Sequence, residues 1–563
     1  MYYVDNYPKK VVKMAEIRLI GHYEYKRPDF EKNLKSRIRI LKRLQDKIYP
    51  TEKLYNDWCR AKDYWNFYYT LCSIGLTKSN KDEFWLQEIN YFSDCSIELN
   101  QIDSEITNAF LQRGRVGELT KYIGHLAIKR LKSHIHSKEK TALEIAEYRS
   151  IQDWIQYKDS LKYVIEGKRV DIHGLFENLM SSHRDVRKQA YDLIKESFGN
   201  NHIDNILNRL VHIRDEISKS CSFENYEKFV EEESFRDWGS QEAENFKNSI
   251  KTHIVPIINS LQKSKKKRLN ISKIENWDEY IFWRRGNPKL EISKKALKKN
   301  YLFVINQIFG EDISQIAYDM FSNGFIDVSA RKDKDVGAYC WLLDGTNDSF
   351  ISIKTQNTDE EPESFFHEFG HTLQFYFSGD NTIQELRKPT RELLEIPSIA
   401  LELFAQDYYD VFYGQKVKER QELFLINLLT LICEVSILDD WQRNLYRNPN
   451  WTTKDRNKCW ANAEKMWTPW RSVNPERWKQ DYTIFETPFY DLDYGIATIC
   501  ALQLWIESKT DKENAIRKYL LLCEMGGKKN LQETLKKVKL KNPFEDETIK
   551  WISEELKGIL KDY

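Results

Sequence analysis

Between residues 27 and 160, apolar side chains recur at helical spacing along runs that are otherwise charged, which predicts successive amphipathic helices. "FEKNLKSRIRILKRLQDKI", starting at Phe30, is one such run. "SSHRDVRKQAYDLIKESFGN", residues 181–200, is another, with Gly199 near its end as a stop. The same pattern continues from 205 towards 330. Between 325 and 357 it changes. "FIDVSA", "GAYCWLLD" and "SFISIKTQN" are short, rich in β-branched and aromatic residues, and separated by Gly, Asp and Asn, so they predict a small sheet. After residue 362 the helical pattern resumes to the end. The expected architecture is mainly α, with one short sheet.

Composition supports that reading. Only 21 Gly and 13 Pro interrupt 563 residues, of which 41% are hydrophobic and 31% charged. The net charge of +1 supplies no electrostatic reason to expect nucleic acid or an anionic membrane as partner. The densest basic run, "SLQKSKKKRLN" at 260–270, reads as a solvated helix end. The most apolar run, "LFLINLLTLIC" at 423–433, lies between Glu422 and Glu434 and contains Asn427. It is too short to span a bilayer and reads as a buried core helix. Nine scattered cysteines predict free thiols in a reducing compartment. The opening residues lack the apolar core of a signal peptide. A cytoplasmic protein is expected.

The chemistry is concentrated in "ESFFHEFGHTLQFYFSG", residues 363–379. Pro362 and the acids around it mark a helix start, and Gly379 a stop. His367 and His371 are four apart, so both imidazoles lie on one helix face and can reach one ion. Glu368, beside the first, can accept a proton from a water that the ion activates. Phe365, Phe366, Phe369 and Leu373 would bury the other faces. A catalytic zinc needs a third protein ligand. All other histidines lie at or before residue 253 and none follows His371, so a downstream carboxylate is the natural candidate. "RELLEIPSIALELFAQ", 391–406, reads as a second helix on which Glu392, Glu395 and Glu402 compete. Glu395 and Glu402 share a face, and Pro397 allows a helix start close to Glu395. Spacing favours Glu395 without eliminating the others.

"HEFGHTLQ" followed by "PTRELLEIPSIALELF" resembles the thimet oligopeptidase family of zinc metallopeptidases, and within it the oligoendopeptidase F and Pz-peptidase branch. "YEYKRPDFE" at 23–31, "MFSNGFIDVSARKDKDVGAYCW" at 320–341, "PFYDLDYGIATICALQLW" at 488–505, "LCEMGGKKN" and "LKNPFEDETIK" extend the likeness nearly end to end. The resemblance implies His367, His371 and Glu395 as ligands of one zinc ion, and Glu368 as general base. It implies a bilobed helical molecule with a deep central channel that admits short unfolded peptides, in which residues 1–200 form a channel wall and 201–563 the catalytic region. It further implies that substrate backbone pairs along Gly337–Trp341, with Gly337, Tyr339 and Tyr490 contacting substrate and Tyr494 assisting catalysis. Two positions depart from the family pattern. Thr483 stands where the family carries a histidine, and Asp491 where it carries a second tyrosine. These departures motivate an alternative: a peptide-binding protein that keeps zinc but turns over weakly or not at all. A purely structural helical protein is the remaining alternative.

Overall fold

The computed structural model describes residues 19–560, apart from 113, 134–137, 356–357 and 380–381. The opening residues, on which the signal-peptide reading rests, lie largely outside the described residues. The expected N-terminal helices form at Phe30–Leu44, Thr51–Lys78, Glu83–Leu111, Val116–Lys132 and Lys138–Ser160. In Phe30–Leu44 the carboxylate of Asp29 caps the start by accepting the Lys32 N–H at 2.9 Å. Leu34, Ile40 and Leu44 face inward. Arg37 shares that inward stripe, and its burial is compensated by an ion pair with Asp103 and by Asn33 Oδ1, which accepts its Nε–H at 3.0 Å. Gly199 ends Arg184–Phe198 as the sequence predicts.

The sheet before the metal motif is three-stranded. Ser349–Lys354 is its central strand, parallel to Ile326–Asp327 and antiparallel to Gly337–Leu342. Gly337–Leu342 is therefore an edge, with Tyr339 opposite Ser352. Two further hairpins, Leu19–Ile20 with Tyr23–Glu24 and Tyr163–Ile165 with Lys168–Val170, correct the expectation of a single sheet. Strands this short carry too little alternation to be read from a sequence. Only the turn of the second, where Glu166 and Gly167 take φ of 49° and 76°, left a hint.

Two other expectations are modified. "LFLINLLTLIC" sits inside a much longer helix, Val417–Arg447, part of a helical stretch Asp410–Arg447 that by length and composition alone is apolar enough to cross a membrane. Its most apolar window is 72% buried within the protein, as a core helix should be. The basic run lies on Val255–Leu269, and only part of it is a solvated face. Lys265 turns inward, is 1% exposed, and donates from Nζ to the Glu279 carbonyl at 2.6 Å.

Candidate metal centre

The helix Glu361–Ser378 carries Pro362 in its first turn and is capped by Gly379. Phe365, Phe366, Phe369 and Leu373 are wholly buried. Phe365 stacks on Tyr301 with ring centroids 3.9 Å apart. Arg420, from Val417–Arg447, donates through Nε to Glu363 Oε1 at 2.7 Å. Thr372 Oγ1 lies 2.9 Å from Ser349 Oγ on the central strand. With these faces committed to packing, the orientation of the histidine face is set.

The second helix runs Arg391–Ala405, so it begins six residues before Pro397 rather than at it. Pro397 has no N–H to offer the Leu393 carbonyl one turn back. Gln374 Nε2, from the histidine helix, donates to that carbonyl at 2.8 Å instead. The two helices touch most closely at Gly370. A Cβ there would lie 2.5 Å from Ser398 Cα and 2.9 Å from the Pro397 carbonyl oxygen, so only glycine permits this approach.

That approach brings Glu395 to the histidines. Its Oε2 stands 3.3 Å from His367 Nε2 and 3.7 Å from His371 Nε2, and makes no hydrogen bond. One donor atom from each of the three residues falls within 4.8 Å of the others. A tetrahedral ion with bonds of about 2.0–2.1 Å separates its ligand atoms by roughly 3.3 Å, so the spacing fits a divalent metal. Glu402 takes a different position. Its Oε1 accepts from His367 Nδ1 at 2.7 Å, which keeps the proton on Nδ1 and leaves Nε2 as the nitrogen that faces Glu395 and would bind a metal. Glu392 points elsewhere, accepting from Thr390 Oγ1 at 2.9 Å. The three acids that compete in the sequence thus occupy three different environments.

Burial pushes His371 down to about 4, which keeps it in the neutral form that binds metal. Burial alone would lower His367 as well, but Glu395 and Glu402 outweigh it and hold the imidazole well above its ordinary value. Burial, with Glu395 and Glu402 assisting, pushes Glu368 up to about 7 against the opposing pull of His367. His367, Glu368, Glu402 and Ala338 of the edge strand line a cavity of about 540 Å³. It continues past Phe282, Phe424 and Leu431.

The tyrosine segment closes another side. Tyr490 donates its hydroxyl to Glu395 Oε1 at 2.9 Å, so it holds the carboxylate that faces the histidines. Tyr494, in the first turn of Asp491–Ser508, packs edge-on against Tyr490 at 5.3 Å. Tyr339, 38% exposed, folds back over Gly337 and donates to the Val336 carbonyl at 2.9 Å. Gly337 has φ of 137°, and a Cβ there would meet the Tyr339 hydroxyl at 2.5 Å. Thr483 and Asp491 are both buried and joined to each other. Thr483 Oγ1 lies 2.8 Å from Asp491 Oδ2 and 2.6 Å from Asp481 Oδ1. Both carboxyl groups are thus tied to the same hydroxyl. Burial and the neighbouring Asp481 hold Asp491 well above the usual carboxylate range. Asp491 is thus turned to Thr483 and is not among the residues that line the cavity.

Three contributors were not identified from the sequence: Gly370 as the close-approach point, Gln374 as the partner of Leu393, and Glu402 as the partner of His367. A glycine between two histidines was the one signal for the first. Nothing local marked Gln374.

Residues 179–554 match peptidase family M3, and residues 21–137 match the peptidase M3 N-terminal domain. The chain belongs to peptidase family M3. Membership of this metallopeptidase family implies a bound metal, and the two histidines and Glu395 fit one. Among similar proteins, group B oligopeptidase PepB of Streptococcus agalactiae is 27% identical over 232 residues, 38% of this chain and 35% of that protein. Oligopeptidase PepF of Bacillus subtilis is 24% identical over 263 residues, 45% of this chain and 37% of that one. The matched stretch thus spans about a third of each relative's length. The fold is that of Pz peptidase A, solved with an inhibitor: the TM-score is 0.89 at 24% identity, over 96% of this chain and 99% of that one.

Proposed function

We propose that the protein is a zinc-dependent endopeptidase that hydrolyses short unfolded peptides. The observation that carries this reading is the convergence of His367, His371 and Glu395, with His367 and the adjacent Glu368 lining a cavity. Two imidazoles and a carboxylate suit zinc best among divalent ions. Zinc, when bound, supplies Lewis acidity towards a scissile carbonyl and towards water.

The chain's residues supply the rest. Glu368 takes the proton of the attacking water and returns it to the leaving amine. Its burial raises its proton affinity above that of an exposed carboxylate, as a general base requires. Glu402 keeps His367 in its ligand tautomer. Tyr490 orients Glu395, and Tyr494 donates its hydroxyl to the developing oxyanion. The free side of Gly337–Leu342 pairs with substrate backbone by strand addition, Gly337 and Tyr339 contacting the peptide together with Tyr490. Residues 1–200 wall the substrate space and 201–563 carry the chemistry. The names of PepB and PepF favour oligopeptides as substrates, and nine free cysteines favour the cytoplasm. The buried Thr483–Asp491 pair favours one second reading, a zinc-retaining peptide-binding protein with little turnover.

Cleavage of a quenched fluorescent peptide library separates the two. The endopeptidase reading expects hydrolysis that a chelator abolishes, zinc restores, and Glu368→Gln slows about a hundredfold or more. Peptide binding without hydrolysis by the zinc-loaded protein would establish the second reading instead.

A further inference from the structure

We propose that a second cavity, next to the metal centre, is a carboxylate-binding subsite for the peptide, with Arg391 and Arg130 as its anchors. This inference rests on the peptide-hydrolysis reading and names a chemical feature of the substrate. The cavity, about 710 Å³, lies between Trp58 and Phe92 of the N-terminal helices and the approach to the glutamate helix at Lys388–Arg391. Asp344, just beyond the edge strand, also lines it. Six basic and four acidic side chains form its wall. Several are already spent within the protein: Arg37 pairs with Asp103, Lys62 lies 3.7 Å from Glu385, and Arg387 lies 2.8 Å from Asp63.

Arg130 and Arg391 differ from these: neither enters an ion pair among the described residues. Arg130 is 5% exposed. Its Nη1 donates to the carbonyls of Glu385 and Lys388 at 2.9 and 2.8 Å, while its Nε and Nη2 have no partner. Glu392 and Glu385 lie near enough to favour its charge but beyond ion-pair distance, so two of its N–H donors stay buried without an acceptor, an unfavourable state that an arriving anion would relieve. Arg391 Nη1 is likewise buried without a partner. The Arg391 guanidinium lies over the Tyr490 ring, 4.8 Å from its centroid, and that tyrosine's hydroxyl reaches Glu395. Arg391 is thus one tyrosine ring from Glu395. Of the acids in the wall, Glu233 lies 3.7 Å from Lys140, and burial pushes the Asp344 carboxyl up towards its neutral form.

A carboxylate meets this requirement. Its two oxygens match the guanidinium fork, and in an unmodified peptide it comes from the C-terminus or from an Asp or Glu side chain. The subsite would seat either group while the edge strand holds the backbone.

The test reads binding rather than turnover, using the zinc-loaded Glu368→Gln protein. Three versions of one labelled octapeptide are compared by fluorescence anisotropy: free C-terminus, C-terminal amide, and free C-terminus with its internal glutamate replaced by glutamine. The proposal expects one of the two neutralised peptides to bind about tenfold or more weakly. That penalty should fall below about threefold when Arg391→Gln is added. Loss on amidation identifies the C-terminus as the source, and loss on the glutamine exchange identifies the side chain. Arg130→Lys, which keeps the charge but not the fork, should reduce the same penalty, with folding checked by circular dichroism. Equal binding of all three peptides, or a full penalty persisting in Arg391→Gln, would overturn the subsite. Cleavage by the wild-type protein without carboxylate dependence removes the subsite alone. Carboxylate dependence without cleavage removes the hydrolytic reading alone.

Discussion

The metal centre and the tyrosine segment beside it are both buried and polar, yet they use their polar atoms in opposite ways. In the metal centre, Glu395 Oε2 and two imidazole nitrogens approach one another and leave the carboxylate oxygen without a hydrogen bond. In the tyrosine segment, the Thr483 hydroxyl and the carboxyl groups of Asp481 and Asp491 satisfy one another. Buried polar atoms are ordinarily paired, so a cluster that leaves an acceptor unpaired is built for something that arrives later. A closed cluster is structural. In the proposed reaction the difference assigns the chemistry to the histidine side, with Tyr494, rather than the residues at 483 and 491, as the donor to test.

The comparison can be broken at several points. Glu395→Gln should have the largest effect, abolishing stoichiometric zinc and lowering peptide hydrolysis by a factor on the order of 1,000 or more, since a neutral amide replaces one of three ligands. Elemental analysis and steady-state rates check this, and unchanged zinc would remove Glu395 from the ligand set. Tyr494→Phe should retain zinc and lower kcat about a hundredfold with little change in KM, the mark of a donor used only in the transition state. Glu402→Gln should weaken metal affinity about 10–100-fold, because His367 loses the carboxylate that fixes its tautomer; competition with a fluorescent zinc chelator measures it. Gly370→Ala should destabilise the fold by about 1–3 kcal/mol as the two helices are forced apart. A denaturant titration would show it, and unaltered stability would mean that the helices tolerate separation there.

The metal centre was legible in the sequence because its geometry is local. Residues four apart on a helix share a face whatever the rest of the chain does, so His367, His371 and Glu368 could be assigned roles from spacing. Glu395 was harder, since three acids within eleven residues all fit. What distinguishes them is the contact between helices at Gly370 and Ser398, which no periodicity reports. Pro397 misled for a related reason. Read locally it marks a helix start, but a glutamine twenty-three positions earlier fills the missing hydrogen bond and lets the helix run through it. The long helices were legible from their stripes, whereas the two-residue and three-residue strands were not. Lys265 turned inward because a carbonyl and an aromatic ring wait there, and neither is adjacent in sequence.

Anomalous diffraction from crystals of the protein purified with zinc, recorded on either side of the zinc absorption edge, tests the central claim most directly. The account predicts one strong peak within about 2.0–2.3 Å of His367 Nε2, His371 Nε2 and a Glu395 oxygen, with Glu402 outside bonding distance. No peak at this site, or a peak bonded to Glu402 in place of Glu395, would contradict it.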